Sequence, residues 1–161
     1  MERFQEHRDK AKKNLKIADH MLTVTFPLVK DSKLLLAVIE NLFLSYTNAM
    51  ASILHYERLF KRIPPFQDTF ESKFNMFKEK IVNKHKIDKE YLKEVQDIRD
   101  IILEHRKSPV EFRKKDRFVI CSENYRIKSV SADDIKKYLY KAKVFIQVMD
   151  NIVKKNEGLF R

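Results

Sequence analysis

The chain has 161 residues, of which 43% are hydrophobic and 35% charged, and its formal net charge is +11. That length suits one domain, residues 1–161, able to bury its own core, and the balance of apolar to charged residues excludes intrinsic disorder. The lone glycine, Gly158, excludes the glycine-rich loops that cradle phosphates, and the lone cysteine, Cys121, excludes an intrachain disulfide.

An excess of eleven positive charges on a small domain attracts polyanions. Residues 1–13 are charged and polar, so a secretory signal is not expected. The longest unbroken apolar run, residues 34–39, ends at Glu40, far short of the roughly 18 residues of a membrane helix. A reducing, cytoplasmic setting without membrane attachment is expected.

In chain order, Phe4, Ala11, Leu15, Ala18 and Leu22 share one helical face, which predicts a first helix over residues 3–25, ended by Pro27 and the turn at Lys30, Asp31 and Ser32. A second helix is expected from after Ser32 to about Arg62. Leu35, Val38, Leu42, Tyr46, Ala49, Ile53, Tyr56 and Phe60 recur three and four apart along it. Leu34, Leu36, Phe43 and Leu44 add apolar residues off that stripe, so this helix should lie at the centre of the fold or at an oligomer interface. Pro64 and Pro65 interrupt it. Asp68, with Glu71 three residues on, predicts the cap of a third helix bearing Phe70, Phe74, Phe77 and Ile81. Asp88 predicts the cap of a fourth, with Tyr91, Val95, Ile98 and Ile102 as its stripe, His105 as the next position on it, and Ser108–Pro109 as its end.

Residues 118–121 and 125–128 are rich in strand formers and flank Glu123 and Asn124, which predicts a β-hairpin. Ser131 and Asp134 form a capping pair for a last helix with Ile135, Leu139, Ala142, Ile146, Met149 and Val153 inside. The expected fold is therefore mainly all-α, an antiparallel bundle of about five helices with one β-hairpin inserted before the last.

Near the end of the fourth helix, Arg99 and His105 are separated by five residues, and Asp100 follows the arginine. Six helical steps place the two side chains about 120° apart, so they do not share a face but could flank one groove. This arginine, polar neighbour and spaced histidine on a helical scaffold resemble the HEPN superfamily (higher eukaryotes and prokaryotes nucleotide-binding). The resemblance implies a metal-independent endoribonuclease with no cofactor, acting as a homodimer whose two motifs meet at one cleft. It also implies a toxin–antitoxin setting with a nucleotidyltransferase antitoxin partner. Arg99 and His105 would then be the catalytic pair, with Asp100 orienting one of them.

The chemistry that such residues offer is coherent. A ribose 2′-hydroxyl can attack the adjacent phosphorus, a histidine can take or give the proton near neutral pH, and a guanidinium fork can hold the growing phosphoryl charge. Tyr46 and Asn48, polar on an apolar helix, are candidates for a supporting role. Arg106, Lys107, Arg113, Lys114, Lys115 and Arg117 form a basic cluster expected to hold an RNA backbone. Phe112, Phe118 and Tyr125 lie among them, either to stack on bases or to anchor the hairpin. The plainer reading of the same motif packs His105 against the core and pairs Arg99 with Glu94, Asp97 or Glu104. It makes the chain a non-catalytic basic module that binds nucleic acid or a protein. His7, His20, His55 and His85 lack metal-ligand spacing, so no metal is expected.

Overall fold

The structure, a computed structural model, describes residues 1–107, 111–114, 116–121 and 127–154. The protein is a mainly α-helical bundle with one small antiparallel sheet before the last helix. Ser108–Pro109, Lys115, the Glu123–Asn124 turn and Tyr125 lie outside the described residues.

Helix α1 spans Arg3–His20 and runs through one wide π turn, Met21–Thr25, into the short α2, Phe26–Val29. Pro27 does not end this rod. It sits in α2 directly after the wide π turn, and the rod stops at Lys30, whose φ of 54° is left-handed. The central helix α3 spans Lys33–Leu59 and ends three residues sooner than the stripe suggests, with Lys61 turned to a φ of 56° ahead of the two prolines. Helix α4, Phe70–Met76, continues into a second π turn, Phe77–Ile81. Its cap is Thr69, whose hydroxyl accepts from the Ser72 N–H at 3.2 Å, and not Asp68, which ion-pairs with Lys73. Helix α5 spans Glu90–Lys107, with Asp88 accepting from the Glu90 N–H at 2.9 Å. Helix α6 spans Ala132–Val153 and carries the expected reciprocal cap between Ser131 and Asp134.

α3 is the axis of the molecule. Leu35, Val38, Leu42, Tyr46, Ala49 and Ile53 are fully buried along it. It packs most extensively on α1 and next on α6. The α1 register is antiparallel: Ser52 donates to the Phe4 carbonyl at 2.7 Å, Ser45 to the Ala11 carbonyl at 2.9 Å, and His7 meets Asn48 at 2.9 Å. Ala11 and Ala18 let the two backbones approach, and the buried serine hydroxyls find acceptors across the seam, which removes the penalty of an unpaired polar group.

α3 is long enough and apolar enough to cross a membrane, with a mean hydropathy of 1.4 over its most apolar window. Its apolar side chains are nevertheless those of the bundle's central helix, and Ser45, Ser52 and Glu57 are buried among them.

The sheet has three strands rather than the two of a hairpin. β1 is Glu111–Lys114, β2 is Arg117–Cys121 and β3 is Ile127–Ser131, in the order β1-β2-β3 and antiparallel throughout. The expected hairpin corresponds to β2 and β3, and β3 runs on to Ser131, three residues beyond the strand formers. β1 carries charge at three of its four positions and shows no apolar alternation, so nothing in its composition announces a strand. Phe118 and Ile120 of β2 and Val130 of β3 bury the sheet's inner face, against α3, α5 and α6.

Candidate nucleic-acid interface

α5 carries the candidate residues because its buried side, Leu92, Val95, Ile98, Ile101 and Ile102, fixes its rotation against the bundle. At 100° per residue that side leaves Arg99 on one edge, turns Asp100 to the back of the helix and keeps His105 in line with Ile98 and Ile101. All three are partly open to solvent.

Arg99 leans onto α4. Its Nη2 lies 2.6 Å from Glu71 Oε1, and its guanidinium carbon stands 4.6 Å from the centre of the Phe70 ring. The acidic partners on its own helix, Glu94, Asp97 and Glu104, are not the ones it takes. Asp100 accepts from Gln96 one turn back, at 3.2 Å. The described bonds of Arg99 and Asp100 thus lead apart, one to α4 and one along α5. The chain does not draw these two toward a common point.

The basic residues divide by element. Arg106 and Lys107 are exposed at the end of α5. Arg113 and Lys114 lie on β1, opposite Phe118 and Arg117 in the ladder. Arg117 is exposed and bonds Asp116 at 3.3 Å, and the Asp116 carbonyl accepts from the Ala132 N–H at 2.8 Å. That last bond ties the β1–β2 turn to the start of α6. Phe118 is buried, so it anchors the sheet and offers no face to a base.

Of the two polar residues on α3, Tyr46 reaches α5 and Asn48 does not. Asn48 faces α1, between His7 and Asn14. The Tyr46 hydroxyl donates to Glu94 Oε2, 48 residues away, and both residues are buried. Burial raises the Glu94 carboxyl to about 7. The Tyr46 hydrogen bond and the charge of Lys141 pull the other way without cancelling it. The same burial, together with the neighbouring carboxylate, drives the Tyr46 phenol far up, so it stays protonated. Phe145 of α6 packs against Tyr46, Phe77 and Tyr91, with ring centres 5.2, 6.0 and 5.2 Å away. No sequence spacing links Tyr46 to Glu94. The only hint is that Tyr46 is one of two tyrosines on an otherwise apolar stripe.

Two further clusters were not legible in the sequence. Glu57, fully buried at the end of α3, holds Lys84 at 2.6 Å, His85 at 2.9 Å and Arg62 at 3.8 Å. His55 stacks on His7 with ring centres 5.1 Å apart and planes 5° from parallel. Burial first, then the charges of His7, Arg3 and Lys73, lower His55 to about 4. Face-to-face imidazoles cannot converge on one ion, and among the described residues no group of His, Cys, Asp and Glu is arranged to hold a metal.

The chain matches no family model, and no curated protein matches it.

Proposed function

We propose that this protein is a HEPN-like, RNA-directed protein that holds RNA along the C-terminal end of α5 and the adjoining β1–β2 edge. The observation that carries the reading is the exposure of Arg106 and Lys107 at the end of a helix on which Arg99 and His105 both keep access to solvent, with exposed Arg117 on a strand that packs against that helix. Phosphate oxygens meet the first group without regard to sequence. Arg99 and His105 then supply half of a cleavage site, and a second copy of the chain supplies the other half. In the reaction the ribose 2′-oxygen bonds to phosphorus as the bond from phosphorus to the 5′-oxygen breaks. One imidazole takes the 2′-proton, the other protonates the leaving oxygen, and the products are a cyclic phosphate and a 5′-hydroxyl. A cytoplasmic location and a nucleotidyltransferase antitoxin partner complete the proposal, on the strength of the resemblance.

A specific observation favours the second reading, a non-catalytic basic module: Arg99 is already paired with Glu71 and stacked on Phe70. Incubation of the protein with RNA in excess EDTA separates the two. Cleavage is expected, with a drop of 100-fold or more, on the order seen when a general acid–base group is removed, in both Arg99→Ala and His105→Ala. Intact RNA with retained binding makes the chain a binding module. Loss of binding as well would sink the RNA-directed reading altogether.

The electrostatic half of the proposal has its own measure. Each phosphate contact contributes nearly one unit to the slope of log affinity against log salt. Arg106→Ala with Lys107→Ala is therefore expected to flatten that slope by about 2. An unchanged slope would place the RNA elsewhere.

A further inference from the structure

A cleft of about 550 Å³ opens between α5 and the first half of α6, away from Arg99. That volume lies within the roughly 300–1,000 Å³ typical of small-ligand sites. Glu94 lines it while only 4% exposed, so its carboxylate forms the floor. Tyr138 lines the side that faces α5, and Tyr140, two residues on and turned about 160° away around α6, is 70% exposed at the outer edge. Lys136, Lys137 and Lys141 stand around the mouth. Asp134, also at the mouth, is committed to capping α6 through the Ser131 N–H at 3.0 Å.

We propose that this cleft binds a guanine nucleotide, with the base edge on Glu94, the ring against Tyr138 and the phosphate on the lysines. The assignment follows from the order of charges. A negative floor repels phosphate and a positive rim repels a free polyamine, so the occupant carries its anion outermost and hydrogen-bond donors innermost. Between the two it needs a flat ring, because phenol faces stack on nucleobases of any kind. Guanine presents two adjacent N–H donors on one edge, and an ionised carboxylate is an acceptor only, with room for both even while one oxygen also accepts from Tyr46. Adenine and cytosine each set a ring acceptor beside their amino group, which a carboxylate repels. Uracil offers one donor between two carbonyls.

Lys141, whose charge acts on Glu94, is bonded to Glu90 at 3.3 Å. A base that brings two donors completes the hydrogen bonding of the carboxylate, and this accounts for a buried carboxylate where a leucine would pack without penalty. The choice of a nucleobase over other aromatic anions rests on the RNA-directed reading. Glu94 and His105 lie on one face of α5, about 20° apart around the axis and about 16 Å apart along it, so a bound strand can reach both.

Calorimetric titration of the full chain at pH 8 with GMP, AMP, CMP and UMP tests this. GMP is expected to bind at least about tenfold tighter than the other three. Glu94→Gln, which keeps the size and an acceptor but loses the charge, is expected to remove that preference. Lys137→Ala with Lys141→Ala, both at the surface, is expected to weaken GMP and leave guanosine unaffected, which keeps the test valid should the Glu94 variant fold poorly. A UGU trinucleotide bound in preference to UUU identifies the base within a strand as the occupant, whereas GMP binding without that preference identifies the free nucleotide. Equal binding of all four nucleotides, no saturation by any of them, or a preference that survives Glu94→Gln would overturn the proposal. If RNA binding that depends on Arg106 and Lys107 persists in that case, only the base site is lost.

Discussion

Replacing Glu57 by alanine is expected to lower stability by about 3 kcal/mol, or roughly 6–12 °C in thermal midpoint for a chain of this size. The carboxylate is fully buried and satisfies two close donors, Lys84 and His85, on the segment that joins the α4 rod to α5. Arg62 stands at 3.8 Å and also stacks over Phe60 at 4.8 Å. Removing Glu57 therefore releases both the end of α3 and the α4–α5 connection. The converse substitution, Lys84→Ala, should cost less than Glu57→Ala, because His85 at 2.9 Å and Arg62 at 3.8 Å still face the buried carboxylate. The pH dependence has a definite sign. Burial alone would raise the Glu57 carboxyl, but hydrogen bonds and charge from Lys84 and His85 outweigh it and hold the group below its ordinary 4.5. The folded state thus resists protonation more than the unfolded chain does. The contribution is present above pH 4.5 and is lost as pH falls through the folded value. Urea denaturation of wild type and Glu57→Ala should converge in acid. A gap that stays constant down to pH 3 would mean that packing, not charge, is what Glu57 supplies.

Glu94 behaves in the opposite way. Its carboxyl, raised from 4.5 to about 7, keeps its proton in the folded state over a range where the unfolded chain has released it. Stability from this group is full below pH 4.5 and is lost as pH rises to about 7, for a total of about 3 kcal/mol. Glu94→Gln, an uncharged group of the same shape, should flatten the decline between pH 5 and 8 and be the more stable protein at pH 8. Tyr46→Phe tests the other partner. The hydroxyl stabilises the ionised carboxylate, so its removal should destabilise the fold more at pH 8 than at pH 5. Thermal midpoints across that range measure both effects. Parallel curves for wild type and Glu94→Gln would show that the carboxylate reaches water more freely than its burial allows.

The two glutamates show where sequence reasoning stops. Each sits on a helix whose existence is plain from periodicity, and each looks, residue by residue, like one more surface charge. What distinguishes them is the partner. Tyr46 lies 48 positions from Glu94, and Lys84 and His85 lie 27 and 28 positions from Glu57. Arg99 makes the same point: the apparent partners are a turn away on α5, but the one taken is Glu71 on α4, 28 positions distant. Local spacing governs which charges can meet on one helix, whereas packing of two helices decides which charges do meet.

Secondary structure was more legible, for a reason that also explains the exceptions. The α3 stripe and the Ser131–Asp134 cap are local patterns with local causes, and both appear as expected. Pro27 was misread as a stop because a proline at the start of a new turn and one at the end of an old turn look alike in sequence. β1 was missed because a strand held by its neighbour's backbone needs no apolar alternation of its own.

Taken alone, the sequence determined a positively charged, helix-dominated domain, its central helix and a capped last helix, because hydrophobic period, proline placement and net charge act over a few residues or over the whole composition. Only the tertiary structure decided that Arg99 is held by α4, that Glu94 is sealed against Tyr46 at the base of a lysine-rimmed cleft, and that Glu57 anchors a distant connection. Those outcomes depend on burial and on the distance between helices, and neither quantity exists until the chain has packed.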